Sequence, residues 1–539
     1  MRKMFRPQNL YGAKIMSSIL IGVILLPCLG WAEEPVSQPD HPNILLVMCD
    51  QLNASVLSCY GGPVPTPNID RLAREGVHFN QAVCPTPFCS PTRASIITGM
   101  YPHTHGVVAN CAPPYTSRQE GIHVSDTATE KILHDAGYAT HHYGKWHLFG
   151  DPLSYYPDMF CPDFAYRAEM DEVFAKVRAT DRRQWMDWYS WALPVATAPC
   201  LQAAANSVSE RWVNFGFKEY YQDFVFKIGR LRLPHEQVYD IRVGELTARR
   251  ITALGKQNHP FMVTCSFNAP HDPDVVPSPY YESFDPDKIK LPANYNTREE
   301  RFEKNWSRVM VADLGEASLR EFLRVYYAMV KMVDDQVGRI LAALDASGAM
   351  DNTIIVFTAD HGDMAGGHGM FWKSTNAFYD EIARVPLLIR YPRQFQPQTC
   401  ELAVDLTDLM PTLLELTGQP IPDQAQGQSL VPFLTGCRSP AEARRFSFSE
   451  RVSRNPKWTR DVSPKAKGSF MVRGEGWKYI RYHQSDEYLY HLTEDPGETR
   501  NLIGEPKHAA RRDEMFAALN AWLSRTGWPG TWKRNKASQ

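Results

Sequence analysis

The chain has 539 residues, 43% hydrophobic and 12% aromatic, enough for one large domain and a smaller one. Its 58 Lys and Arg nearly balance 60 Asp and Glu, so no broad basic field invites a nucleic-acid partner. Beyond the N-terminal segment no apolar run reaches the length of a membrane span.

Residues 1–32 read as an export signal peptide. Arg2, Lys3, Arg6 and Lys14 form a basic start, Ile15 to Leu26 is apolar, and Gly30-Trp31-Ala32 is a small-x-small cleavage site before Glu33. The apolar run is short for an anchor, and Pro27 ahead of Cys28 argues against lipidation. The mature chain is therefore expected to be secreted or periplasmic, with no stable membrane span once the signal is cut. Of 11 cysteines, Cys28 leaves with the signal. In an oxidising compartment some of the others are expected to pair, with connectivity left open. No CxxC pair suggests zinc.

Asn43 to Met48 is a continuous apolar run, as in a strand buried on both faces. Asp50 and Gln51 follow it directly. Thr66-Pro67-Asn68 opens a helix through Asp70–Glu75 that stops at Gly76. Next comes Cys89-Ser90-Pro91-Thr92-Arg93, running into Thr98-Gly99. Ser90 is expected to cap a helix, Pro91 to take its first position and Gly99 its end. Cys89 would then sit at a helix N-terminus, where free N–H groups attract an oxyanion. Taken alone, a buried free cysteine before a short helix fits these residues equally well.

Gly144-Lys145-Trp146-His147 is expected to continue a strand, with Lys145 and His147 sharing one face and Trp146 the other. Residues about 150–240 are rich in Tyr and Trp and lack a strand-helix rhythm, which marks an insertion near a pocket rim. Phe261–Ser266 is another buried strand, and it ends near His271-Asp272. There His271 is either a neutral-range acid or a loop side chain bonded to Asp272. A helix from about Glu321 to Leu344 carries an apolar face, and Gly348 stops it. Thr353–Thr358 is a buried strand followed by Asp360, His361 and a Gly-rich loop that leads to Lys373. Val385–Ile389 is a further strand.

Strands alternating with helices imply an α/β fold with a mostly parallel sheet covered on both sides. In such sheets ligands bind beyond the carboxyl ends of strands. Asp50, Gln51 and Asp360 offer oxygen, which suits a hard divalent cation, and His361 adds nitrogen. A turn or cap is the commoner fate of a single strand-end Asp, but two such pairs favour a metal. Past residues 418–440 the rhythm fades into short alternating strands near 446–449, 469–473, 477–482 and 488–492, with a helix from about Pro506 to Ser524.

These motifs together resemble the type I, formylglycine-dependent sulfatases of the alkaline-phosphatase-like superfamily. Cys89 to Gly99 is similar to their modification signature, with Thr92 where Ser is commoner and Ile97 where Leu is commoner. Gly137-Tyr138-Ala139-Thr140 with Gly144 to His147 is similar to their second signature. The resemblance runs from Pro42 to Asp495-Pro496. It implies an α/β/α sandwich catalytic domain over 41–435 and a small antiparallel α+β subdomain over 440–539.

It also implies a formylglycine made from Cys89 by a formylglycine-generating or maturase enzyme. Its hydrate attacks the sulfur of a sulfated small molecule or carbohydrate. One divalent cation is implied at Asp50, Gln51, Asp360 and His361, with Ca²⁺ first and Mg²⁺ or Mn²⁺ as alternatives. Gln51 stands where a second Asp is often found, and His361 where an Asn is. Arg93, Lys145 and Lys373 would stabilise charge, His271 would protonate the leaving alcohol, and His147 would take the proton that releases sulfate. Asn110, His105 and His368 are further polar candidates, for which ordinary structural roles are the more usual fate. Two alternatives stand beside this reading: a phosphonate monoester hydrolase or phosphodiesterase of the same superfamily, and an inactive protein that binds sulfated glycans.

Overall fold

The apolar run after Pro42 forms the strand β1 (Asn43–Cys49), buried along its whole length. Its two neighbours are the equally buried β7 (Phe261–Phe267) and β9 (Thr353–Ala359), both parallel to it. The computed structural model describes residues 41–111, 128–148, 158–160, 195–207, 225–257, 259–373, 377–452, 468–483 and 486–528. The signal segment, Cys28, Cys161 and most of the aromatic-rich stretch lie outside the described residues.

The large sheet has eight strands. Beyond β7 stand β3 (Ala139–Gly144) and β4 (Asp158–Phe160). Beyond β9 stand β10 (Leu387–Arg390), β2 (Val77–Phe79) and β11 (Gln398–Cys400). All pairs are parallel except those of β10, which runs antiparallel to both β9 and β2. The fully apolar strands are thus the central ones, covered by helices on both faces, as P-free buried runs of Val, Ile and Leu require.

Helix Tyr239–Leu254 packs along helix Trp306–Ser347 on the sheet. The second is longer than its apolar pattern suggested, and Gly315 (φ 75°, ψ 170°) breaks it into two pieces. The short β5 (Val195–Ala196), β6 (Gly229–Leu231) and β8 (Val275–Pro277) form a separate three-stranded sheet.

The third sheet is antiparallel: β12 (Ser447–Val452), β13 (Gly468–Gly474), β14 (Trp477–Arg481) and β15 (Glu487–His491). Helix Ala509–Arg525 covers one face of it with Met515, Leu519, Trp522 and Leu523. Trp522 stacks on Phe448 at 4.8 Å between ring centroids. Edge pairing to the rest of the chain is direct, since Glu450 N–H donates to Pro85 O at 2.8 Å. The fold is therefore the expected sandwich with a mostly parallel sheet and a small antiparallel sheet after it.

One expectation is corrected here. No disulfide joins any of the cysteines among the described residues, so none of those pairs forms. Most are sealed in the core, where they act as small apolar side chains.

Candidate active site

Because β1 and β9 pair in register, Cys49 lies opposite Ala359, and Asp50 and Asp360 leave the sheet side by side at its carboxyl edge. Both are fully buried. Asp360 N–H donates to Cys49 O at 3.1 Å, and Gln51 N–H donates to Asp360 Oδ1 at 3.1 Å.

Arg93 locks the two carboxylates together. Its Nη2 is 2.9 Å from Asp50 Oδ2 and its Nε 2.9 Å from Asp360 Oδ2. Its Nη1 donates to Lys145 O and Ser266 Oγ, both at 2.9 Å. The planar fork suits this bridging, which a lysine could not copy. By taking Oδ2 of each aspartate, Arg93 leaves both Oδ1 atoms facing Cys89 and His361.

Cys89 is the first residue of helix Cys89–Thr98, which is buried throughout and ends at Gly99 in the left-handed region (φ 66°). Ser90 is not its cap. The cap position is Phe88, with no side-chain bond. Ser90 Oγ instead donates to His147 O at 2.6 Å and accepts from Cys111 N–H at 3.0 Å. Two buried backbone groups on neighbouring loops thereby gain partners, which outweighs a helix cap. Asn110 Oδ1 accepts from Ser90 N–H at 3.2 Å, and its amide nitrogen lies 3.9 Å from Cys89 Sγ.

The Cys89 Sγ lies 3.2 Å from His361 Nε2 and 3.7 Å from Asp50 Oδ1. Donor atoms of Asp50, Cys89, Asp360 and His361 all fall within 4.8 Å of one another, and all four residues are buried. Two carboxylate oxygens, an imidazole nitrogen and the group at position 89 form a donor set that fits one divalent cation. Gln51 differs from expectation. Its Oε1 accepts from Lys373 Nζ at 2.7 Å and its Nε2 donates to Asp363 Oδ2 at 2.6 Å. Its carbonyl is thus turned to the lysine.

Charge in this cluster is unevenly shared. Burial and Asp50 oppose ionisation of Cys89, yet Lys373, Lys145 and His361 outweigh them and hold its thiol well below the ordinary value. Burial likewise opposes the Asp50 anion, and Lys145, with Arg93, still holds its pKa well below the usual range. Asp360 is pushed up to about 6 by burial and by the adjacent Asp50. Burial disfavours the His361 cation, but Asp360 and Cys89 raise its pKa on balance.

Lys145 reaches the site by a different route from the one expected. β3 stops at Gly144, whose φ is +108° and where a Cβ would meet Ser266 O at 1.8 Å. The chain turns there, Lys145 N–H donates to Ser266 O at 2.9 Å, and Lys145 Nζ pairs with Asp50 Oδ2 at 2.8 Å. His147 has a left-handed backbone (φ 56°), so the two residues do not share a strand face. The His147 carbonyl still abuts the nucleophile helix through Ser90.

His271 Nδ1 is 2.8 Å from Asp272 O, as the bland loop reading expected, while its Nε2 faces the site, 3.7 Å from Asp50 Oδ1 and 2.7 Å from Lys373 Nζ. The loop is held by Asp240 Oδ1, which accepts from Asn268 N–H at 2.7 Å and Ala269 N–H at 3.2 Å.

Two residues with evident positioning roles escaped the sequence reading. Asp240 gave no local signal, being an Asp near a helix start. Asp363, a second acid within four positions of the β9 end, did. Its Oδ1 accepts from Ala365 and Trp372 N–H, so it fixes both Gln51 and the loop before Lys373. His105 and His368 lie apart from the cluster. His105 Nε2 bonds Ser95 Oγ at 2.9 Å, and His368 stacks on Tyr379 at 3.6 Å between centroids.

The sulfatase family matches residues 42–419, and the family "N-sulphoglucosamine sulphohydrolase, C-terminal" matches residues 366–524. The chain belongs to the sulfatase family. It is accordingly a sulfuric ester hydrolase, and the binding-protein alternative gives way to an enzyme. An ulvan-active sulfatase of Formosa agariphila is 28% identical over 95% of this chain and 87% of that one. An N-acetylglucosamine-6-O-sulfatase of Bacteroides thetaiotaomicron is 26% identical over 93% and 90%. Among solved structures, a phosphonate monoester hydrolase from Silicibacter pomeroyi superposes with a TM-score of 0.69 at 25% identity, covering 90% of this chain and 96% of that one. Among the described residues no helix is long and apolar enough to cross a membrane.

Proposed function

We propose that this sulfatase is exported and hydrolyses a sulfate monoester of a carbohydrate, using a formylglycine made from Cys89 and one divalent cation. The observation that carries the reading is the cluster of Asp50, Cys89, Asp360 and His361 within 4.8 Å, with Lys145, His271 and Lys373 bonded around it. The relatives' names, an ulvan-active and an N-acetylglucosamine-6-O-sulfatase, support a sugar as the alcohol.

Asp50, Asp360 and His361 would hold the cation, with Gln51 beside them, and oxygen-rich donors favour Ca²⁺ over Mn²⁺. When bound it supplies Lewis-acid stabilisation of negative oxygen. Formylglycine supplies a hydrated aldehyde as nucleophile, and its formation calls for a formylglycine-generating or maturase partner.

The chain's own groups do the rest. Arg93 fixes both aspartates. Lys145 and Lys373 bring positive charge to the equatorial oxygens of the transferring group, where preorganised cations act most strongly. His271, held through Nδ1, presents Nε2 to the leaving alcohol as general acid. His147 is assigned the proton whose loss releases sulfate.

A phosphodiester or phosphonate monoester is the second reading, favoured by the fold match to the phosphonate monoester hydrolase. Intact-peptide mass at Cys89, followed by parallel assays with 4-nitrophenyl sulfate and bis(4-nitrophenyl) phosphate, separates the readings. Formylglycine together with faster sulfate turnover is expected. An unmodified Cys89 in active enzyme would overturn the nucleophile, and faster diester turnover would overturn the substrate.

A further inference from the structure

Along β12 the side chains alternate. Phe448, Glu450 and Val452 lie on the face toward Trp522 and His103, so Ser447, Ser449 and Arg451 lie on the other. The strand docks through Glu450 N–H to Pro85 O, four positions before the nucleophile. This register carries Arg451 across the residue preceding Cys89. Its guanidinium carbon stands 4.0 Å from the centroid of the Phe88 ring.

Arg451 has an unusual balance of interactions. Its Nη1 is buried and without a hydrogen-bond partner, and among the described residues no carboxylate pairs with it. Burial lowers its pKa to about 10, and the opposing influences come from Cys89 and Cys84. The other cations of the site are already engaged: Arg93 with both aspartates, Lys145 with Asp50, Lys373 with Gln51 and His271. A guanidinium held beside a reactive centre with an unfilled fork is set up for an oxyanion that arrives with a ligand. Arg451 as a whole is half-buried, whereas Arg93 is only 2% exposed.

We propose that Arg451 binds a second oxyanion of the substrate, a carboxylate or a further sulfate carried by the sugar that bears the scissile sulfate. The stacked Phe88 ring orients the fork by a cation–π contact. Arg451 is then a specificity-determining residue, and the preferred substrates are at least doubly charged. This rests on the carbohydrate-sulfate reading above.

The test uses formylglycine-bearing wild type, Arg451→Gln and Arg451→Lys, with melting curves for each. Inhibition of 4-nitrophenyl sulfate hydrolysis is measured with N-acetylglucosamine 6-sulfate, glucosamine 2-N,6-O-disulfate and a 2-O-sulfated uronate. In Arg451→Gln the inhibition constant of at least one doubly charged sugar rises about 10- to 100-fold, as for loss of a charge-assisted hydrogen bond. The rise for the singly charged sugar is at least about tenfold smaller, on the same energetic scale. Whether the disulfate or the uronate loses more identifies the oxyanion. Arg451→Lys keeps the charge without the fork, recovers part of the discrimination, and carries the test if the Gln variant is unstable. Equal losses on all three sugars, or no loss on any, would overturn the role of Arg451 and leave the carbohydrate reading intact. Wild type that binds none of the sugars would overturn the carbohydrate reading, and this role with it.

Discussion

The ammonium of Lys373 lies 2.7 Å from Nε2 of His271. A lysine ammonium only donates, so Nε2 is the acceptor of this pair, and the imidazole proton sits on Nδ1, donated to Asp272 O at 2.8 Å. An anionic ester entering between them would draw the ammonium to its own oxygens. That would free Nε2 to carry the proton that a leaving alkoxide needs. On the proposed mechanism the pair is the resting arrangement that substrate has to part.

His271→Gln tests this role. Turnover of a sugar sulfate, with a poor leaving group, should fall about 10²- to 10⁴-fold. Turnover of 4-nitrophenyl sulfate, whose leaving group needs little protonation, should fall far less. Equal losses on both esters, measured as kcat, would sink the general-acid assignment.

Arg93→Lys should cost stability as well as activity. Arg93 makes four hydrogen bonds from a nearly inaccessible position, and an ammonium cannot span both aspartates. Disrupting a buried charge bridge of this kind costs about 3–5 kcal/mol. Chemical denaturation should show a loss near the lower end, since one charge remains. An unchanged midpoint would mean that the bridge contributes little.

Asp240→Asn gives a pH signature. Burial pushes the Asp240 carboxyl up to about 6, against an ordinary value of 3.8. A raised acid binds more protons folded than unfolded, so its contribution is fully present below about pH 4 and is lost as pH rises through about 6. The gap of about two pKa units corresponds to roughly 3 kcal/mol at most. Asn keeps an acceptor for Asn268 and Ala269 but does not titrate. Relative to wild type the variant should gain stability between pH 4.5 and pH 7.5, as read from denaturant melts at both values. A constant difference would contradict the assignment.

Gly144→Ala should be among the most damaging single-methyl changes in the chain. The added carbon meets Ser266 O at 1.8 Å, and the backbone sits at φ +108°. Strain and overlap together should cost about 4 kcal/mol or more. Lys145, the next residue, would lose its place beside Asp50. A melting temperature within a degree of wild type would show that the turn relaxes cheaply.

Much of this architecture was legible because its signals are local. Runs such as Asn43–Met48 and Thr353–Thr358 have the apolar continuity of strands covered on both sides, and they fell where expected. The metal-capable pairs at their ends could be placed together because parallel neighbours end at the same edge. What escaped depends on contacts distant in sequence. Ser90 looks like a cap until His147 and Cys111 are beside it. Lys145 and His147 look like one strand face until Gly144 turns the chain against Ser266. The antiparallel course of β10 has no local mark either, because strand direction is a property of connections and not of composition.

The docking of β12 on Pro85 has a temporal side. The wall next to Cys89 comes from residues some 360 positions further along, so a growing chain carries its thiol for most of its synthesis before that wall arrives. Once it does, the sulfur is sealed from solvent. On the formylglycine reading proposed above, an oxidising enzyme would have to visit while the polypeptide is still incomplete or extended, because a copy that closes first offers it no extended chain around Cys89.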